Sequence, residues 1–89
     1  MKAVSGLDVH KDTIFACILQ KGKAPFINEY TTLTCGIEEL SEDLQTMKVN
    51  IVAIESTGIY WMPVWKILEK QFKMILVNPY REIYVPATD

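Results

Sequence analysis

The spacing of apolar residues changes period once along this chain, and that change limits the folds open to it. Up to Leu33 the apolar residues sit in short runs rich in β-branched and aromatic side chains: Ala3 to Val9, Thr13 to Leu19 and Phe26 to Leu33. Such runs favour extended chain. His10-Lys11-Asp12 separates the first run from the second. Lys21-Gly22-Lys23 separates the second from the third, with a glycine free to take a positive φ. Connections this short join antiparallel neighbours, so the opening predicts a three-stranded meander.

From Ile37 the period becomes helical. Ile37, Leu40, Leu44 and Met47 share one face, with Glu38, Glu39, Glu42 and Asp43 on the others. Thr34 is the expected N-cap, the acidic first turn suits the helix dipole, and Asn50 is the expected stop. Ile51 to Ile54 is an uninterrupted apolar run, the pattern of a parallel strand covered on both faces. A second helix is predicted from about Ile59 to Phe72, with Val64, Trp65, Leu68 and Phe72 facing the core. Pro63 near its start places the first regular turn around Met62. Met74 to Val77 reads as a last strand, closed by Asn78-Pro79.

The predicted fold class is α/β: a mixed sheet of three antiparallel strands followed by βαβ units, with helices on the sheet faces. Right-handed crossovers place the fourth strand beside the first and parallel to it. That is the arrangement of the ribonuclease H-like fold. With 89 residues, 49% of them apolar, the chain is one small domain or part of a larger one and can bury a core. It is too short for separate cofactor and substrate lobes.

A net charge of −2 argues against a self-sufficient nucleic-acid binder. It leaves room for one whose phosphate contacts run through metal ions or other domains. No apolar run approaches the roughly 20 residues that span a bilayer, and the N-terminus lacks a secretory h-region. Cys17 and Cys35 have no metal-ligand spacing and are expected to be buried free thiols. A cytoplasmic location with no membrane partner follows as the expectation.

Two acids close apolar strands: Asp8 ends the first and Glu55 the fourth. If the two strands are neighbours, the carboxylates emerge together at the carboxyl edge of the sheet, where ligands gather in open α/β sheets. Two such oxygens suit a hard divalent ion, Mg²⁺ or Mn²⁺, in phosphodiester chemistry. The competing account has Asp8 capping the His10-Lys11 turn and Glu55 paired with a lysine. Ser56, Thr57 and Gly58 carry the chain toward a helix start, where N–H groups hold phosphate or a hydroxyl caps the helix. His10 and Lys11 are candidate phosphate contacts, or simply solvated turn residues. Trp65 is expected in the core, and Tyr60 and Trp61 over the sheet edge.

Three segments together resemble one family. Gly6-Leu7-Asp8-Val9-His10-Lys11-Asp12, then Ile54-Glu55-Ser56-Thr57-Gly58-Ile59-Tyr60-Trp61, then Val77-Asn78-Pro79 are similar to the N-terminal domain of DEDD-type insertion-sequence transposases (insertion-sequence family one-ten, with the Piv DNA invertases). The resemblance implies a RuvC-like domain in which four acids bind Mg²⁺, with Asp8 and Glu55 matching the first two. It further implies bacterial site-specific recombination on DNA (element ends and target), in some members guided by an RNA from the element. It also implies a C-terminal domain with a nucleophilic serine, and oligomers. The chain departs from the pattern at Pro86-Ala87-Thr88-Asp89, where the family has Lys-Thr-Asp and a further Asp. Asp89 is a candidate third acid. On this reading residues 1–89 form a truncated RuvC-like domain, inactive alone, with the fourth acid and the serine domain missing.

Two rival functions remain at this stage. An actin-like sugar kinase or ATPase lobe shares the strand order, but His10-Lys11-Asp12 lacks the glycines with which such proteins approach phosphates. A non-catalytic interaction module would use Tyr60-Trp61 as its contact surface.

Overall fold

A computed structural model describes residues 3–56, 58–77 and, in backbone, 83–84. The elements are β1 (Ala3–Val9), β2 (Thr13–Gln20), β3 (Phe26–Thr31), α1 (Thr34–Thr46), β4 (Val49–Ser56), α2 (Trp61–Leu68), β5 (Lys73–Val77) and β6 (Ile83–Tyr84). They form one sheet in the order β3-β2-β1-β4-β5-β6. β1 pairs in parallel with β4, and β4 with β5, while the remaining pairs are antiparallel. The meander and the placement of the fourth strand beside the first are both as predicted.

The crossovers β3–α1–β4 and β4–α2–β5 step in the same direction across the sheet. Two right-handed crossovers of that kind lay both helices on one face. Leu7 and Val9 of β1, Ile14 and Ile18 of β2, and Val52 and Ile54 of β4 are buried in one cluster with Ile37, Leu40 and Leu44 of α1 and Val64 and Leu68 of α2. The alternate residues face the other way, and Val4, Phe15, Leu19 and Ile27 are exposed there. Among the described residues, this second face has no helix over it. β4 accordingly alternates, with Val52, Ile54 and Ser56 buried and Glu55 exposed, where an apolar run covered on both sides was expected.

Several local expectations shift for identifiable reasons. Leu33, not Thr34, is the N-cap of α1, and no side chain caps it. The acids begin at Glu38, so the first turn holds none. The helix ends at Thr46, and Lys48 reverses the chain at a φ of 62°, so Asn50 is already in β4. α2 is only eight residues long, because Ile59 and Tyr60 form a turn before it. Pro63 sits in its first turn, where no helical hydrogen bond is lost. Phe72 lies beyond the helix but is buried, with its N–H donating to the Leu68 carbonyl at 3.0 Å.

Neither thiol is fully buried. Cys17 is half-buried on the uncovered face, and Cys35 is exposed near the start of α1. Trp65 is half-buried rather than core, edge-on to Trp61 at 5.7 Å, and its Nε1 donates to Glu69 Oε1 at 3.1 Å. Tyr60 is exposed. Tyr30 ties β3 to α1: its hydroxyl donates to Asp43 Oδ2 at 2.6 Å. Burial, reinforced by that bond, pushes its phenol up to about 12. Asn78-Pro79 falls outside the described residues.

Candidate functional site

The register of β1 against β4 decides where the acids go. Asp8 is the direct partner of Glu55, with Phe15 of β2 opposite Asp8 and Val77 of β5 opposite Glu55. Side chains in register on paired strands point to the same face. Leu7 and Ile54, one residue earlier, are buried under the helices, so Asp8 and Glu55 emerge on the uncovered face. Both stand at the carboxyl ends of parallel strands.

His10 sits beside Asp8. Its Nε2 lies 3.3 Å from Asp8 Oδ2. Its ring meets Phe15 edge-on at 5.8 Å and an interplanar angle of 84°. The turn beneath it is strapped in place: the His10 N–H donates to the Thr13 carbonyl at 2.8 Å, and the Thr32 hydroxyl donates to the Lys11 carbonyl at 3.0 Å. Asp8 and His10 side chains are each 55% exposed, so their contact adds little stability. Glu55 makes no ion pair among the described residues.

Beside the acids the uncovered face is hollow. Gly6, Cys17 and Ala53 form a row of small residues across β1, β2 and β4. A Cβ placed on Gly6 would meet nothing within 4 Å. The resulting groove, about 340 Å³, has Phe15 on one wall and Asp8 and Glu55 on its lip.

The other candidates lie differently. Lys11 is exposed in the turn next to His10. Ser56 pairs with Val9 and is buried on the helix side, facing away from Glu55. It is a strand residue, and α2 starts only at Trp61, with Gly58 at a φ of 81° in the turn between. Thr57 and Asp89 lie outside the described residues. Phe15 and the groove went unnoticed in the sequence, because Phe15 faces Asp8 only in a register that pairs Val9 with Ile14 and leaves residues 10–13 between them.

As a donor set, two exposed carboxylates suit Mg²⁺ or Mn²⁺, which bind through one or two carboxylates and keep several waters. Among the described residues, no group of three or more His, Cys, Asp or Glu side chains converges. Asp8 and Glu55 are the two candidate donors that the register brings together.

A family model of DEDD transposases (insertion-sequence family one-ten), described as Transposase, matches residues 5–86. This chain belongs to the DEDD transposase family. The transposase domain has the RuvC-like, ribonuclease H-like fold. Its structure is similar to that of T. thermophilus RuvC, solved in complex with a Holliday junction substrate, with a TM-score of 0.64 at 10% identity. That match covers 90% of this chain and 66% of the RuvC chain. A second similar structure, the ROK hexokinase from Thermus thermophilus, has a TM-score of 0.58 at 21% identity, covering 85% of this chain and 33% of that one. At such identities the likeness concerns the fold alone. No curated protein sequence matches the transposase domain. No described helix is long and apolar enough to cross a membrane.

Proposed function

We propose that this transposase domain contributes Asp8 and Glu55 as metal-binding carboxylates to DNA strand cleavage and transfer in transposition. The observation that carries the reading is their direct register on neighbouring parallel strands, on the face no described helix covers. A divalent ion bound there, Mg²⁺ or Mn²⁺, would supply positive charge at a scissile phosphodiester. The chain's own residues would do the rest. His10, strapped through its turn, holds the Oδ2 of Asp8 at 3.3 Å. Lys11 offers a cation to the DNA backbone beside the carboxylates, whereas Ser56 is buried on the helix side and Thr57 remains a candidate contact only from the sequence. Asp89 is a candidate third acid. The partners on this reading are the DNA of the element ends and target, a guide RNA from the element and further copies of the transposase, in the bacterial cytoplasm.

The test is recombination and Mn²⁺ binding by Asp8→Asn and Glu55→Gln in the full-length transposase. Both variants should lose recombination and weaken Mn²⁺ binding while keeping the wild-type circular dichroism spectrum. Recombination retained by both variants refutes the reading.

A further inference from the structure

The net charge of −2 conceals a polar arrangement. The end of β2 and the starts of β1, β4 and β5 meet at the sheet edge opposite Asp8 and Glu55: Ala3 pairs with Gln20 and Val49, and Ile51 with Lys73. Three connections lie along this edge: the β2–β3 hairpin, the α1–β4 turn and the α2–β5 turn. The first two are held together, since Gln20 Nε2 donates to the Met47 carbonyl at 3.0 Å. Each is tight: the N–H groups of Lys23, Lys48 and Gln71 donate to the carbonyls of Gln20, Gln45 and Leu68 at 3.2, 3.0 and 3.1 Å.

These connections and the first residue of β5 carry Lys21, Lys23, Lys48, Lys70 and Lys73, all exposed. None is in an ion pair among the described residues. The acid among them, Glu69, accepts a hydrogen bond from Trp65. Asp8, Asp12 and Glu55 stand at the opposite edge; on α1, Glu38 and Glu39 lie toward its start, Glu42 and Asp43 toward the lysine end, where Asp43 accepts the Tyr30 hydroxyl. Lys48 sits at a φ of 62°, a conformation that glycine or asparagine adopts at less cost.

We propose that this lysine rim is a second nucleic-acid contact, gripping sugar-phosphate backbone without sequence preference at the edge remote from the carboxylates. Four adjacent strands at about 4.8 Å spacing span roughly 14 Å. That length matches about four phosphates of one strand at roughly 3.4 Å per charge. A line of cations across strand ends fits a linear polyanion, whereas membrane-surface binding typically uses the face of an amphipathic helix. The proposal takes nucleic acid as the partner from the function above, but it requires neither Asp8 nor Glu55.

The experiment is fluorescence anisotropy of the 89-residue chain with labelled single-stranded DNA, single-stranded RNA and duplex DNA. EDTA is present and NaCl runs from 50 to 300 mM. With all five lysines engaged, log K against log [salt] should have a slope of about −3.5 on single strands and about −4.5 on duplex. Lys21→Gln/Lys23→Gln/Lys48→Gly should make the single-strand slope about 2 shallower and weaken binding at 50 mM at least ~10-fold. The hairpin pair Lys21→Gln/Lys23→Gln, at two exposed positions, should remove about 1.4 of that slope by itself. Asp8→Asn/Glu55→Gln should bind no more weakly than wild type in EDTA. Preference for DNA or for RNA identifies the source of the backbone, and either supports the proposal. It is overturned if the lysine variants keep the wild-type slope, or if the chain binds phosphatidylglycerol vesicles and none of the nucleic acids. Failure of the carboxylate reading shows separately, as unchanged Mn²⁺ binding in Asp8→Asn/Glu55→Gln.

Discussion

Glu55→Gln separates a carboxylate kept for binding from one kept for stability. Asp8 and Glu55 are direct partners on adjacent strands, and both are exposed. Like charges directly opposite are destabilising. With strands about 4.8 Å apart, two carboxylates about 5 Å apart repel by about 0.8 kcal/mol at the dielectric of water. Screening over a Debye length of about 8 Å at physiological salt leaves about 0.5 kcal/mol. Glu55 makes no ion pair among the described residues that would offset this, so Glu55→Gln should raise the stability of the metal-free chain by about 0.5 kcal/mol. For a domain of this size that is a rise in Tm of about 2–4 °C. Mn²⁺ should reverse the order. A ligand at 100 times its Kd stabilises the fold it binds by about 2.7 kcal/mol, so the wild-type Tm should climb by more than about 10 °C while the variant's stays nearly flat. Thermal melts followed by circular dichroism, in EDTA and across a Mn²⁺ series, measure both arms. A variant less stable than wild type in EDTA, or equal Mn²⁺ shifts in the two proteins, would refute the reasoning.

Three other outcomes follow from particular contacts. His10→Ala frees the Asp8 oxygen that His10 now holds, and losing such a partner of a ligating carboxylate should weaken Mn²⁺ binding about 10-fold in calorimetry; unchanged affinity would leave the contact with no part in the site. Tyr30 keeps its proton in the fold up to about pH 12, whereas the unfolded chain releases it near 10, so stability should be level to about pH 9.5 and then fall by about 1.4 kcal/mol per unit up to pH 12. Urea melts of Tyr30→Phe should lack that slope, and a slope that persists would place the titration elsewhere. A Cβ on Gly36 would overlap Thr31 Oγ1 and lie 2.5 Å from the Thr31 carbonyl oxygen, so Gly36→Ala should cost about 2–3 kcal/mol. Adding Thr31→Ala should recover only part of it, because the backbone oxygen stays; full recovery would mean that the side chain alone was in the way.

The strand order and the Asp8–Glu55 pairing were legible because both rest on short-range rules. Hairpin turns at His10-Lys11-Asp12 and Lys21-Gly22-Lys23 leave β1, β2 and β3 no other pairing, and right-handed crossovers then seat β4 beside β1. The bareness of one sheet face was less visible. An apolar run such as Ile51 to Ile54 reads the same whether its second face is under a helix or lines a groove, since both remove it partly from water. Helix ends were misplaced where side-chain chemistry was assumed to decide them. Thr34 looks like a cap, yet Leu33 holds that position because the helix must begin as soon as β3 releases the chain. The lysine rim was hidden for another reason. Lys21, Lys48 and Lys73 are far apart in sequence, and only the strand directions bring them to one edge.

The direction of the strands also explains why the two ends of this sheet carry opposite charge. Were β4 antiparallel to β1, Asp8 and Glu55 would lie at opposite ends of strands roughly 20 Å long, and no ion could touch both. Parallel pairing alone is not enough, since a slip of one residue would turn Glu55 under the helices and bring Ile54 to the lip. The register irregularity between Ala3 and Val4 lies at the far end, where Val49 pairs with Ala3 and Ile51 with Val4, and Asn50 is the extra residue. From Val4 to Val9 the match is continuous. Asn50 leaves its side-chain oxygen buried without a hydrogen-bond partner among the described residues, a cost borne beside the lysine rim. The misfit between the tight α1–β4 turn and the sheet is thus absorbed next to the basic edge, and the acidic edge keeps the alignment that a shared ion needs.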